Sequence, residues 1–133
     1  MATIFSKIIN REIPGYIVAE DEHFIAFLDI MPLVLGHTLI VPKKEVDYIF
    51  DMDDEALASM MVFAKRISMA VRKAVPCKRI GVSVIGLEVP HTQIHLVPMN
   101  SADDVNFTRP KLSPSKEALA SMAEKIKSYL AAS

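Results

Sequence analysis

The stretch from Pro90 to Pro98 constrains this chain more than any other, because it places two of the four histidines inside an apolar, β-prone run. Alternate side chains of an extended strand share one face. His91, Gln93 and His95 are therefore expected to point to the same side of a strand. The opposite row consists of Thr92, Ile94 and Leu96. A polar row opposite an apolar row predicts a half-buried strand whose polar side lines a cleft or meets solvent.

The simplest interpretation of this polar row is a solvated sheet face. A zinc site would need further histidine, cysteine or carboxylate ligands at suitable spacing. Cys77 is the only cysteine, and the sequence alone does not place an acidic partner beside the two histidines. The sequence therefore predicts no metal and no other cofactor.

Length and charge narrow the class of protein. The 133 residues fit a single domain, 1–133, with one hydrophobic core. A formal net charge of -1 gives no electrostatic argument for nucleic acid or an anionic membrane as partner. No apolar run reaches membrane-spanning length, and no secretory signal is visible. One cysteine excludes an internal disulfide, so we expect a reducing compartment, the cytoplasm.

Periodicity and turn signals predict an α+β fold. Strands are expected at 16–20, 24–28, 37–41, 80–85 and 90–98, and helical segments at 3–9, 51–75 and from Ser113 onward. Only a short link, Gly86 to Pro90, separates the last two strands, which favours antiparallel pairing. The predicted architecture is a five-stranded antiparallel sheet with one long helix and a C-terminal helix.

The long helix is expected to pack on this sheet through one face. Asp51 or Asp53 suits its N-terminal cap, and Pro76 suits its end. The apolar residues recur near the helical period. They are Leu57, Met60, Met61, Ala64, Ile67, Met69, Val71 and Ala74.

The stretch HTQIHLV at 91–97 resembles the signature of the histidine-triad (HIT) family, in which three histidines alternate with apolar residues. The first and third histidines match, whereas Gln93 stands at the middle position. Two further stretches, FLDIMP at 27–32 and GHTLIVPK at 36–43, look like the family's nucleotide-cradling strand, loop and following strand. The opening IFSKII at 4–9, with EIP at 12–14, resembles its entry segment, so the likeness covers most of the chain.

The resemblance implies a nucleotide pocket. Asp29 would accept hydrogen bonds from the ribose hydroxyls, although a turn-capping role for this residue is an alternative. Phe27 and Ile30 would form apolar walls for a base, although Phe27 could instead belong to the core. Gln93 and His95 would lie at the phosphate, and His37 is expected to be a buried structural residue.

Two departures from the family pattern concern other ligands. Leu87 and Glu88 stand where relatives carry phosphate-contacting residues, and the Glu88 carboxylate would repel a phosphate. Thr3 and Ser6 stand where many relatives carry two zinc-binding cysteines, and hydroxyls are poor zinc ligands.

The resemblance also implies a reaction, nucleotidyl transfer to the middle histidine and then to water, with His91, Gln93 and His95 at the catalytic positions. An amide nitrogen is not basic, so Gln93 cannot be the attacking group.

The favoured function is binding of an AMP-like purine nucleotide by a homodimer that joins two sheets into one, with impaired phosphoramidate or dinucleotide hydrolysis. The alternatives are a working hydrolase that uses His91, His95 or a water, a non-catalytic dimeric interaction module with a vestigial pocket, and an ordinary hydrolase trapped by a deliberate His-to-Gln exchange.

Overall fold

A five-stranded antiparallel sheet forms the centre of the protein, whose computed structural model describes residues 3–131. The strands are β1 (Ile17–Glu20), β2 (Phe24–Leu28), β3 (Thr38–Pro42), β4 (Arg79–Ser83) and β5 (Ile94–Met99). Across the sheet they lie in the order β1-β2-β3-β5-β4. The helices are α1 (Ile4–Ile9), α2 (Asp54–Ala74) and α3 (Lys116–Ala131), with 3-10 turns at Ile49–Asp51 and Ala102–Val105. The predicted α+β class and antiparallel sheet are confirmed. Within residues 3–131, none of the helices is long and apolar enough to cross a membrane.

Helices α2 and α3 cover one face of the sheet. The Asp53 side chain accepts a hydrogen bond from the amide of Ala56 at 2.8 Å and so caps α2. The residues of α2 that are buried against the sheet and α3 are Met60, Phe63, Ala64, Ile67, Ala70, Val71 and Ala74. Met61 and Met69, predicted to belong to this face, are instead 48% and 57% exposed. Each of them is next in sequence to a buried residue, and consecutive residues of a helix point in different directions, so both side chains lie on its outer side.

The opposite face of the sheet carries a second, smaller core. Phe5 and Ile8 of α1 pack there against a row of strand residues, namely Ile25, Phe27, Leu39 and Val41. His95 pairs with Leu39, and Leu39 pairs with Phe27, so His95 belongs to this same face. Because β2 and β3 are buried on both faces, their side chains form continuous apolar runs rather than an alternating pattern.

Strand β5 begins at Ile94, so the prediction of a strand from residue 90 is wrong for His91 and Gln93. The last residue pair between β4 and β5 is Ser83 with His95. Before it, the amide and hydroxyl of Thr92 donate to the carbonyl of Val46 at 2.6 and 2.7 Å. The backbone of this segment is therefore satisfied by the chain that follows β3, which draws it away from the sheet ladder.

The start of α3 also differs from the prediction. The helix begins at Lys116, and the hydroxyl of Ser115 accepts a hydrogen bond from the amide of Ala118 at 3.0 Å. The cap is therefore Ser115 rather than Ser113. Helix α2 likewise begins at Asp54 rather than at residue 51, because Asp51 closes a separate 3-10 turn.

Candidate functional site

One loop brings a carboxylate and an imidazole together at the end of the β2–β3 ladder. Its two ends are joined by a hydrogen bond from the amide of Asp29 to the carbonyl of His37, at 3.0 Å. Gly36 has a φ of 103°, and a side chain there would come within 2.7 Å of Val75. Only glycine therefore fits this turn without strain, and the turn aims His37 at the face that carries His95.

His37 and His95 form a buried hydrogen-bonded pair. Their Nε2 and Nδ1 atoms are 2.9 Å apart, although 58 residues separate them in the chain. The amide of Leu33 lies 3.2 Å from His37 Nδ1 and can only donate, so His37 Nδ1 must accept. His37 therefore carries its proton on Nε2 and donates it to His95 Nδ1. It follows that neutral His95 carries its own proton on Nε2.

Burial keeps both imidazoles neutral. Burial lowers the pKa of His37 to about 3, with His95 and Lys111 adding to the effect, and lowers the pKa of His95 to about 4, with Lys111 adding again. His95 Nε2–H is therefore a neutral hydrogen-bond donor at physiological pH. Among residues 3–131 no acceptor lies at hydrogen-bond distance from it, so this donor is available to a ligand.

Asp29 presents one free carboxylate oxygen beside this pair. Its Oδ1 accepts a hydrogen bond from the amide of Met31 at 2.9 Å, whereas its Oδ2 lies 3.8 Å from His37 Nε2, beyond hydrogen-bond distance. The side chain is 24% exposed. Burial raises the pKa of the Asp29 carboxyl, the Met31 amide and Lys111 oppose this effect, and Glu88 adds to it. The turn-capping role and a free acceptor are thus combined in one carboxylate.

Asp29, His37 and His95 also lie close enough to be considered as metal ligands, with their ligand atoms all within 4.8 Å of one another. The hydrogen-bond pattern argues against this use. A cation at His37 Nε2 would need that nitrogen without its proton, and a neutral ring would then carry the proton on Nδ1. Nδ1–H would face the donating amide of Leu33. We therefore interpret the three residues as a hydrogen-bonded site.

His91 is fully buried in the segment before β5, with both of its ring nitrogens occupied. Its Nε2 lies 2.7 Å from the carbonyl of Pro42, which can only accept, so the proton is on Nε2. Its Nδ1 lies 2.9 Å from the hydroxyl of Thr3, which therefore donates to it. His91 fastens α1 and the end of β3 to the segment before β5, and a direct catalytic role for it stays a prediction.

The contact between Thr3 and His91 also bears on whether zinc could bind near Thr3. Thr3 and Ser6 hydroxyls lie 3.2 Å apart, and Ser6 donates to Glu45 at 3.3 Å. The Thr3 hydroxyl is hydrogen-bonded to Nδ1 of His91, the one ring nitrogen that could otherwise bind a metal. The donor set is thus two hydroxyls and an engaged imidazole, which does not fit zinc.

Gln93 is buried, and its side chain is hydrogen-bonded to a backbone carbonyl. Its amide nitrogen donates to the carbonyl of His91 at 3.2 Å, with a longer contact to that of Val89 at 3.5 Å. No donor among the described residues reaches its Oε1. The Gln93 side chain therefore offers an oxygen acceptor, and no nucleophilic nitrogen, to anything bound beside it.

Comparisons with known proteins decide the family. The family model described as the HIT domain matches residues 10–102, which is more than half of the chain. This chain belongs to the HIT family. An uncharacterized HIT-like protein of Borreliella burgdorferi is 38% identical over 113 residues, covering 80% of this chain and 81% of that protein. The adenosine 5'-monophosphoramidase HNT1 of Saccharomyces cerevisiae is 38% identical over 98 residues, covering 73% of this chain and 62% of that protein.

The fold agrees with that of solved HIT structures. A Hit-like protein of Bartonella henselae, described as involved in cell-cycle regulation and crystallised with an unknown ligand, superimposes with a TM-score of 0.82. The two chains are 33% identical, and the match covers 96% of this chain and 95% of that one. The predicted HIT-like fold is confirmed.

The remaining residues predicted for the HIT pocket are placed differently from one another. Phe27 is 2% exposed, and its ring centroid lies 5.5 Å from that of Phe5, which favours the core-packing alternative. Ile30 is 57% exposed beside Asp29, and Leu87 is 88% exposed on the β4–β5 loop. Glu88 is exposed on the same loop, yet lies close enough to Asp29 to influence its pKa.

Sequence reasoning missed two residues of this HIT site, Phe107 and Lys111. The Phe107 ring stands edge-on to His95, with centroids 4.8 Å apart, and lies 6.0 Å from His37. Lys111 Nζ lies 5.7 Å from the centre of that ring. The segment between β5 and α3 is rich in polar and turn-forming residues. A single aromatic ring inside a polar loop was the signal that could have identified it.

Proposed function

We propose that this HIT protein binds an AMP-like purine nucleotide and hydrolyses nucleotide phosphoramidates or dinucleotides slowly or not at all. The single observation that carries the proposal is the Asp29 carboxylate, held by the Met31 amide, with its second oxygen free beside the His37–His95 pair. The similarity to an adenosine monophosphoramidase supports a nucleotide as the ligand.

Ribose recognition follows from the chemistry of the Asp29 side chain. An ionised carboxylate accepts two hydroxyl groups, and a hydrogen bond to a charged acceptor is stronger than one between neutral groups. Oδ2 has no hydrogen-bond donor among the described residues, and part of the side chain is exposed. His95 Nε2–H would then donate to a phosphate oxygen on the neighbouring side of the pocket.

Impaired hydrolysis follows from the tautomers. Covalent transfer to an imidazole needs a nitrogen without a proton. His37 and His95 use their bare Nδ1 atoms as acceptors for Leu33 and His37, and His91 uses its own for Thr3. Gln93 supplies an amide oxygen in place of a nitrogen. None of these four side chains therefore offers the attacking atom.

A working hydrolase would need His95, His91 or a water molecule to take over the attack. His95 would have to lose its hydrogen bond from His37 or its Nε2 proton, and His91 would have to lose its contacts with Thr3 and Pro42. Attack by water remains chemically possible, because His95 Nε2–H can stabilise charge on the phosphate. That route lacks the covalent intermediate, and it would be slower.

We expect Asp29→Asn to raise the Kd of AMP and that of adenosine alike, by about 10- to 100-fold, because charge-assisted hydrogen bonds to the ribose become neutral ones. Asparagine keeps an acceptor for the Met31 amide, so the loop should remain folded. Isothermal titration calorimetry measures the affinities, and Asp21→Asn in the β1–β2 turn is the matched control. Equal affinity of Asp29→Asn and the parent protein for both ligands would refute the ribose-binding role.

The homodimer is a second element of the proposal. Strand β4 lies at an edge of the sheet and can pair with another strand. Next to it, Met61 and Val62 of α2, with Ile80 and Val82 of β4, line a common groove. Val62 and Val82 are 69% and 53% exposed. A second copy of this chain that pairs β4 with β4 would bury both surfaces and extend the sheet.

Sedimentation equilibrium is therefore expected to give twice the mass of one chain, and Val62→Glu should shift the protein toward monomer because a buried charge opposes association. Ser121→Glu on the exposed side of α3 provides the matched control. A parent protein that is monomeric at high micromolar concentration would overturn the homodimer. A dimer that fails to bind AMP or adenosine would instead support the non-catalytic interaction module.

A further inference from the structure

Lys111 lies at the edge of the His37–His95 site on a segment that is fixed in place. The amide of the next residue, Leu112, donates to the carbonyl of Pro32 at 2.9 Å, which fastens this segment to the loop that follows Asp29. Lys111 Nζ lies 5.7 Å from the centre of the Phe107 ring, and that ring packs against His95 with centroids 4.8 Å apart. The backbone next to Lys111 is thus bonded to the loop that follows Asp29, and its ammonium group lies over a ring that packs on His95.

The positive charge of Lys111 has no acidic partner among the described residues. No carboxylate of residues 3–131 lies within 4.0 Å of its Nζ. Its electric field nevertheless reaches the site, where it helps to lower the pKa of His37 and of His95 and opposes the rise that burial causes in the pKa of Asp29. A lysine that is partly buried over an aromatic ring, close to a ligand pocket and without a counter-ion, is suited to an anionic ligand group.

The side chains of Leu87 and Glu88 on the β4–β5 loop give an anionic ligand no favourable contact, so the positive charge of Lys111 matters more for binding one. Leu87 presents an apolar side chain to solvent, and Glu88 carries a negative charge that reaches Asp29. Gln93 adds an oxygen acceptor, so neither Glu88 nor Gln93 favours a phosphate through its free oxygens. Only His95 Nε2–H and the Lys111 ammonium, among the side chains placed at this site, can donate to an anion there.

We infer that Lys111 binds the phosphate of the nucleotide and makes this site select a phosphorylated ligand over the free nucleoside. The inference rests on the proposed nucleotide-binding function and adds to it. Asp29 would recognise the ribose that AMP and adenosine share, whereas Lys111 would contact only the group by which they differ. Binding measurements with AMP and adenosine should therefore distinguish the effect of replacing Asp29 from that of replacing Lys111.

The test compares AMP with adenosine on Lys111→Met, which keeps a long apolar stem against Phe107 and removes the charge. We expect the Kd of AMP to rise by about 10- to 100-fold, the range for one charge-assisted hydrogen bond, and that of adenosine to change less than about twofold. AMP binding to the parent should also weaken more steeply with salt than AMP binding to the variant. Lys125→Met on the exposed side of α3 removes the same charge far from the site, and should leave both affinities unchanged.

Lys111→Arg should retain most of the preference for AMP, because it keeps the charge. Equal weakening of AMP and adenosine in Lys111→Met would show that Lys111 only supports the fold of the pocket, and would overturn the inference. An unchanged AMP affinity would overturn it as well. If Asp29→Asn still weakens adenosine in either case, the proposed function stands without the phosphate contact. A parent protein that binds neither ligand would overturn both.

Discussion

Replacing Gln93 with histidine is expected to raise the rate of adenosine 5'-phosphoramidate hydrolysis by about 10³-fold or more, since loss of a catalytic nucleophile costs at least that much in other enzymes. Gln93 already donates its amide nitrogen to the carbonyl of His91 at 3.2 Å. A histidine in the same place would donate Nδ1–H to that carbonyl and so carry its bare nitrogen at Nε2. That nitrogen would be unprotonated and so able to attack a bound phosphate.

Turnover of the phosphoramidate under single-turnover conditions measures this gain directly. Gln93→Asn is the matched control, because it keeps an amide and should stay inactive. Titration with AMP should show that Gln93→His and the parent protein bind the nucleotide with similar affinity. A Gln93→His protein that binds AMP but gains no activity would show that residue 93 is not the only missing part of the catalytic site.

Local sequence patterns predicted most of the sheet because they depend on neighbouring residues. The apolar run from Phe24 to Leu28, the turn residues and the helical period of α2 each report the environment of a short segment. The prediction failed where a distant partner decides the conformation. The contacts of His91 span 88 residues to Thr3 and 49 to Pro42, and Thr92 bonds to Val46, 46 residues away. Strand periodicity contains no information about such partners.

The candidate site likewise has a part that the sequence could predict and a part that depends on distant contacts. Asp29, His91, Gln93 and His95 were proposed from their resemblance to a family motif, and the structure brings Asp29 and His95 together beside His37. The role of His37 depends on a single amide, that of Leu33, which fixes the tautomers of two rings. Such a contact appears only when the loop conformation is known.

A large loss of stability is expected for His91→Ala, about 3–5 kcal/mol in the free energy of unfolding. The imidazole is fully buried, so its removal leaves a cavity in the second core beside Phe5. The Pro42 carbonyl also loses its donor, and a buried unpaired polar group costs about 1–3 kcal/mol. Thr3→Val removes the hydroxyl that donates to His91 and that also accepts from the amide of Ser6 at the start of α1, and should cost about 1–2 kcal/mol.

Urea unfolding at neutral pH measures these differences, and His23→Ala is the matched control because His23 is exposed and should change the stability by less than about 0.5 kcal/mol. The catalytic alternative for His91 is tested by combining His91→Ala with Gln93→His at a temperature where the double variant remains folded. A structural residue should then leave most of the restored activity in place. A further loss of more than about 10²-fold, the scale of a general acid–base or charge-stabilising group, would mean that His91 acts on the substrate despite its contacts with Thr3 and Pro42.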